Sequence, residues 1–270
     1  MEAKSVNFKQ TKGIKSAFAV IVCCFIIAVC IFNFVLGDPA NFVNNDPNNH
    51  PLPGNMLGTI YKGGVIVPVL QTLFLTVIVL SLERAFAITK SKGKGSVVKF
   101  VKNVKDALDK GDIAKARELC VKQKGSVASV VYAALNTYAE VEKDDAMNKE
   151  QKLVSIQKSL DEATALELPT LEQNLVVIAT MTTLGTLIGL LGTVLGMIKS
   201  FAALATAGSP DSVALSAGIS EALVNTAFGI ATGALAVISY NFFTSKIDKL
   251  TYSIDEIGFT IVQTYAATHK

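Results

Sequence analysis

Glu221 is the only charged residue between Ser212 and Ser245, a stretch long enough to cross a bilayer. Burying a carboxyl in hydrocarbon disfavours its charged form. A side chain placed there can stay neutral and then ionise when water or a cationic partner reaches it, as a proton carrier must. Upstream, Leu175 to Leu204 is a second long apolar segment, carrying the string Gly189-Leu-Leu-Gly-Thr-Val-Leu-Gly196 and threonines at 180, 182, 183, 186 and 193. A short turn between the two spans would bring hydroxyls and the acid together. The blander readings are threonines that bond back to their own helix carbonyls and a neutral acid that serves packing alone. The acid fits its bland reading less well than any one threonine does.

The glycines say how the two spans would meet. Gly185, Gly189, Gly192 and Gly196 are spaced by four, three and four residues, which at 3.6 residues per turn puts all four on one narrow helix face. In the next span Gly218, Ala222, Asn225, Gly229 and Ala236 form a matching stripe. Small residues let membrane helices approach closely, so Gly185, Gly189, Gly192, Gly196, Gly218 and Gly229 are read as packing residues. Thr182, Thr186 and Thr193 run along one side of the glycine face.

Half of the residues are hydrophobic, there is no tryptophan, and the mean hydropathy is +0.44. Four segments reach the length of about 20 residues that a spanning helix needs, which predicts an all-α membrane protein of four transmembrane helices. The expected layout is an N-terminal stretch 1–16, spans 17–36 and 63–82, a connector 37–62, a soluble helical region 83–170, spans 171–205 and 213–245 around a turn 206–212, and a C-terminal helix 246–270. For the first span a cleaved signal peptide is the competing reading. Its apolar run is too long for one, and Leu36-Gly-Asp-Pro-Ala40 is a poor cleavage site, so a retained anchor is preferred.

Charge sets the expected orientation. Lys4, Lys9, Lys12 and Lys15 precede the first span, and Arg84, Lys90, Lys92, Lys94, Lys99, Lys102 and Lys105 follow the second; Lys246 and Lys249 follow the fourth. The connector from Gly37 to Tyr61 holds Asp38 and Asp46 but no lysine or arginine, and the turn Thr206 to Asp211 has no positive charge. Both termini and the 83–170 region are therefore expected inside. Lys199, near the outside end of the third span, is expected to snorkel its ammonium to the headgroups rather than to relay protons.

The rest of the chain narrows the function classes. The 37–62 connector is rich in turn formers and offers little apolar area, so it is expected to lie over the membrane surface or against a neighbour. In the 83–170 region, Val97, Val98, Val101, Val104 and Leu108 fall on a helical stripe; Gly111 then stops that helix and Asp112 caps the next, and Gly125-Ser126 repeats the signal. Its charges are mixed in sign, so no nucleic-acid partner is expected. The only histidines are His50 and His269, and the cysteines are Cys23, Cys24, Cys30 and Cys120; neither a metal site nor a disulfide is expected. With no phosphate loop, dinucleotide fingerprint or nucleophile–base motif, the chain is not read as an enzyme and no cofactor is expected.

Two strings carry a family resemblance. Residues 189–201, Gly-Leu-Leu-Gly-Thr-Val-Leu-Gly-Met-Ile-Lys-Ser-Phe, and 218–229, Gly-Ile-Ser-Glu-Ala-Leu-Val-Asn-Thr-Ala-Phe-Gly, resemble the paired signature of the MotA/TolQ/ExbB proton-channel family, closest to its ExbB and TolQ branches. Val237-Ile-Ser-Tyr-Asn241 is similar to the end of that pattern. The match is close over 175–245 and one of layout over 63–170. The resemblance implies a subunit of a motor in the bacterial inner membrane, multi-pass and lipid-embedded. A homo-pentamer would surround a dimer of an ExbD/TolR-like single-span partner, whose aspartate carries protons, and drive a TonB-like or TolA-like protein. By matching positions, Thr193, Glu221 and Thr226 correspond to polar residues of the proton path, and Asn225 stands beside them where a small apolar residue is usual. Leu195 replaces a common tryptophan. The first span is additional to the usual three-span plan.

The reading that follows is a pore lined by the last two spans, with the soluble helices as a cytoplasmic bundle. ExbB-like energisation of TonB-dependent outer-membrane transport is the leading expectation; a TolQ-like envelope motor and a gliding or flagellar stator are the alternatives within the family. A secondary transporter would need a midplane substrate site between repeated halves, and no such repeat is visible. A structural scaffold would tolerate Glu221→Gln.

Overall fold

The computed structural model describes residues 16–206 and 212–269. The lysines at 4, 9, 12 and 15 and residues 207–211 of the expected turn lie outside the described residues, and with them part of the charge reading. The described residues are helical, with no strand beyond one isolated bridge between Phe42 and Pro51. The helices are α1 (Ala17–Cys30, running on as a π-helical turn Ile31–Leu36), α2 (Met56–Tyr61), α3 (Ile66–Ser91), α4 (Val97–Asp109), α5 (Ile113–Gln123), α6 (Gly125–Val141), α7 (Lys149–Glu172), α8 (Leu175–Thr206) and α9 (Ser212–Thr268). Four stretches are long and apolar enough to cross a membrane: Ala17–Leu36, Ile66–Ser91, Lys149–Ala202 and Leu215–Thr268. The protein is an all-α membrane protein with four such helices. The chain divides into two compact units, one of residues 16–82 and Asn174–Asn241, the other of Glu83–Gln173 and residues 242–269.

In the first unit, α1 buries only Val20, Cys24 and Ala28, one residue per turn, and leaves Phe18, Phe25, Ile26 and Phe34 exposed. A helix apolar on all sides suits lipid or another membrane helix. Pro68 sits in the first turn of α3, where its missing N–H leaves no intrahelical bond unmade. The 37–62 connector is folded more tightly than its composition suggests. Asn41 is its hub: its amide donates to the carbonyls of Val35 at 2.9 Å and Leu36 at 3.1 Å, while its side-chain oxygen accepts from Asn55 at 3.0 Å. Around that hub Phe42 is 1% exposed and packs edge-on to Tyr61, which stacks on Phe32. Two aromatic rings and one satisfied amide thus give the connector a core that counting apolar residues does not reveal. Lys62, the single lysine or arginine of the 37–62 stretch, donates to the carbonyls of Pro47 and Asn48. Burial pushes this ammonium below its ordinary pKa, and the charge of Asp46 opposes the shift. His50 is exposed.

The second unit is held by large apolar side chains. Val101, Val104 and Leu108 of α4, Ala116 and Cys120 of α5, Val127, Val131, Leu135 and Tyr138 of α6, and Ile156 and Leu160 of α7 are all buried. The last part of α9 buries Ile247, Leu250, Ile254, Ile257, Ile261 and Tyr265, a spacing of threes and fours that makes one continuous stripe. The α4 stripe differs from its sequence reading at the start. Val98 is 77% exposed and Phe100 is buried in its stead. Asp112 accepts from Lys115 N–H at 2.9 Å and so caps α5. Gly125 does not act as a stop signal followed by a serine cap: it opens α6 at φ +83°, and a Cβ there would collide with the Ser91 carbonyl and the Gly93 amide. It lets two backbones touch, a contact closed by Gln123 donating to Lys92 O at 2.9 Å. Asn148 and Gln151 form a capping box at the start of α7, inside the polar 140–152 stretch.

Arg84 is fully buried and ties the start of this unit to the end of α7. It pairs with Glu83 and donates to the carbonyls of Thr170 at 3.2 Å and Leu171 at 3.1 Å. Carbonyls in the last turn of a helix have no intrahelical partner, and the guanidinium supplies one. A buried arginine is costly unless paired and hydrogen-bonded, and Glu83 and the two carbonyls accept four hydrogen bonds from it.

Candidate functional site

The candidate site lies in the first unit, on the facing surfaces of α8 and α9. Gly185, Gly189, Gly192, Gly196 and Ser200 are buried along α8, and Gly218, Ala222, Asn225, Gly229, Thr232 and Ala236 are buried along α9. Contact is backbone to backbone. A Cβ built on Gly189 would lie 2.9 Å from Asn225 O and from Gly229 Cα, and one on Gly196 would lie 2.8 Å from Gly218 O. Gly185 would meet Thr232, and Gly229 would meet the Gly185 carbonyl at 2.6 Å. Gly192 leaves room for the Asn225 side chain, whose Cβ and Cγ would stand 2.5 and 2.7 Å from an added methyl. At Gly189, Gly196 and Gly229 the atoms in the way are backbone, so no residue with a side chain fits there without moving the helices apart.

The polar residues gather in two clusters. In one, the hydroxyls of Thr193 and Thr226 share a hydrogen bond across the helices. Thr226 can also donate to Ala222 O at 3.1 Å, and Thr193 to Ala222 O at 3.4 Å or Gly189 O at 3.3 Å. Two protons are thus distributed over more acceptors than they can fill at once, and each hydroxyl can act as donor or acceptor. Such a pair can switch direction without moving heavy atoms.

Glu221 belongs to the other cluster. Its side chain is 10% exposed, and its Oε1 accepts from Lys199 Nζ at 2.6 Å. On α9, positions 221 and 226 are about 140° apart around the axis, so within one chain the acid and the threonine pair face different ways. The snorkelling expected of Lys199 is not what the structure has: the ammonium bonds to the carboxylate, although the lysine side chain remains 57% exposed. The third wall is the turn before α3. Gly64 has φ +74°, and a Cβ there would stand 2.6 Å from Glu221 Oε1 and 3.6 Å from Lys199 Nζ. Asn225, one turn beyond Glu221, donates from Nδ2 to Gly63 O at 2.9 Å and pins that turn to α9. Asn225 is fully buried, and its Oδ1 has no hydrogen-bond partner.

Reasoning from sequence passed over several residues that matter here. Lys199 is the sole charged residue of Leu175–Thr206 and Glu221 that of 212–245, and they flank the same turn. Opposite lone charges at matched depth on consecutive spans were a legible sign of a pair. Gln71 and Thr76 of α3 are also buried, at 8% and 0% exposure, with Gln71 Oε1 and Thr76 Oγ1 unpartnered. A glutamine inside an apolar span is the signal that would have found them. Ser200 is fully buried, and its hydroxyl is placed to donate to the carbonyls of Gly196 and Leu215.

These features define a multi-pass helical membrane protein whose last two membrane helices are sealed by glycine, with one carboxylate in their apolar stretches 175–206 and 212–245. A family model described as the MotA/TolQ/ExbB proton channel family matches residues 123–256, about half of the chain, and the chain belongs to that family. It is 26% identical over 194 residues to the Tol-Pal system protein TolQ of Pseudomonas aeruginosa, covering 67% of this chain and 81% of the relative. Against TolQ of Haemophilus influenzae the identity is 24% over 200 residues, covering 73% and 87%. Against the biopolymer transport protein ExbB of Helicobacter pylori it is 35% over 94 residues, covering 35% of this chain and 64% of the relative. The 123–256 match includes Thr193, Glu221, Asn225 and Thr226.

Proposed function

We propose that this chain is the proton-conducting subunit of a motor in the bacterial inner membrane that couples the proton-motive force to work at the cell envelope. In this reading five copies assemble around a dimer of an ExbD/TolR-like single-span partner, and α8 and α9 line the pore. Both termini and the Glu83–Gln173 helices lie in the cytoplasm, the latter as a cytoplasmic bundle, and the 37–62 connector faces the periplasm. Protons pass where the pore meets the partner helix, because one carboxylate here cannot serve as both entry and exit relay. Thr193, Glu221, Thr226 and Asn225 supply this chain's polar groups along the path. The observation that carries the reading is Glu221 itself: the one ionisable group of the otherwise uncharged 212–245 segment, in a chain of a proton-channel family, where hydrocarbon makes an idle charge costly.

The motor works through a TonB-like protein in outer-membrane import or through a TolA-like protein in envelope maintenance. Both kinds of relative are similar to this chain, and the partner's periplasmic domain is what distinguishes the two. The test is proton flux in lipid vesicles containing this chain with and without its single-span partner. Flux that appears only with both supports the reading. Flux from this chain alone, or none from the assembled pair, overturns it.

A further inference from the structure

Glu221 and Lys199 have unequal access to water. The carboxylate is nine-tenths buried, whereas more than half of the lysine side chain is exposed, and the two are joined at 2.6 Å. The cation can leave by rotating its long stem; the acid is fixed by its helix and lies against the Gly64 turn, where an added Cβ would stand 2.6 Å from Oε1. Asn225 holds that turn to α9 through Gly63 O. Lys62, two residues before Gly64, is occupied by the Pro47 and Asn48 carbonyls, so it does not compete for the acid.

We propose that Lys199 is the positioning residue of the proton path: it holds Glu221 as a carboxylate against the Gly63–Gly64 turn, and it must swing out before Glu221 can take a proton. A buried acid stripped of its cation becomes neutral rather than remaining an unpaired charge. Without Lys199, Glu221 therefore holds its proton permanently and no longer accepts one. The lysine is a displaceable counter-ion, not a relay, because an exposed ammonium that lets go of Glu221 does so with its own protons in place. Gly64 belongs to the device, since any side chain there would collide with Glu221 Oε1.

The inference deepens the proposed function and rests on it only for flux; its direct readout is infrared spectroscopy of the full chain in lipid vesicles at neutral pH. The carbonyl stretch of a protonated carboxylic acid is assigned to Glu221 by its disappearance in Glu221→Gln. Wild type and Lys199→Arg are expected to lack this band, and Lys199→Gln to show it. With the partner present, flux is expected to be lost in Lys199→Gln and retained in Lys199→Arg, at equal assembly. A Glu221 band in wild type overturns the proposal, and that measurement needs no lysine variant to fold. Absence of the band in well-assembled Lys199→Gln also overturns it. Normal flux in Glu221→Gln combined with the expected infrared pattern would leave the ion pair standing and defeat the functional reading instead.

Discussion

The α8–α9 seam and the helical unit of residues 83–173 and 242–269 solve the same packing problem in opposite ways. In the seam between 185–200 and 218–236, the buried facing positions are glycine, alanine, serine, threonine and one asparagine, and backbones touch. In the helical unit, the contacts are made by Val104, Leu135, Ile156, Leu160, Ile257 and Tyr265, each buried to 5% exposure or less. On the proposed topology, with the helical unit in the cytoplasm, water explains the difference. Where the unfolded alternative is aqueous, burying a large side chain is itself the driving force. In lipid the tails are as apolar as leucine, so association depends on close approach and on hydrogen bonds that have no better partner. A seam built this way has almost no volume to spare, whereas an apolar core can partly relax around a lost side chain.

The comparison breaks most visibly at the seam. Gly189→Leu puts a branched side chain where a single methyl would already be 2.9 Å from two backbone atoms of α9. Loss of assembly is expected, read as loss of the oligomer in native mass spectrometry from mild detergent. A normal oligomer would show that α8 and α9 do not pack as described. In the helical unit, Leu160→Ala removes a side chain that packs against Gly258 and is expected to cost about 2–5 kcal/mol. It should lower the thermal midpoint while leaving the oligomer intact at low temperature. A Leu160→Ala protein as stable as wild type would mean that this unit is not held by its core.

How much could be read in advance follows the same division. The spans, the glycine faces and the lone acid are one-dimensional signals: length, periodicity and the rarity of charge inside an apolar run. The Gly63–Gly64 turn against Glu221 is different in kind, because its 63–225 hydrogen bond joins residues far apart in sequence and no spacing rule encodes it. The connector's small core is hidden from the sequence for a similar reason. Its apolar residues are few, but Phe42 and Tyr61 find Phe32 on the preceding π-helical turn. Lys199 is legible as a charge, but its depth in the membrane alone points to an anchor; its pairing follows from Glu221, the opposite charge on the next span. Val98 illustrates a smaller limit: several valines in a row fit a helical stripe in more than one register.

Gentler changes sharpen the contrast. Thr193→Val or Thr226→Val keeps the shape of the seam and removes one hydroxyl of the shared pair, so assembly should be normal and flux reduced but not abolished, because water can replace a hydroxyl in a hydrated path. Unchanged flux in both variants would assign the pair to packing. In the helical unit, burial pushes the Cys120 thiol up to about 12 from an ordinary 9.0. At neutral pH it stays a thiol and should resist maleimide until the protein unfolds; rapid labelling of native protein would contradict its burial. The raised value also means that folding retains a proton the unfolded chain releases. Cys120 therefore lowers stability as pH rises from about 9 towards 12 and has no such effect below that range.

The central claim rests on whether Glu221 must gain and lose charge. Glu221→Gln preserves size and most hydrogen bonding but cannot titrate. In vesicles containing this chain and its single-span partner, the account predicts that the Gln variant assembles and binds the partner as wild type does, while proton flux is lost. Full flux with normal partner binding would contradict the account and leave the partner's carboxylate as the sole carrier.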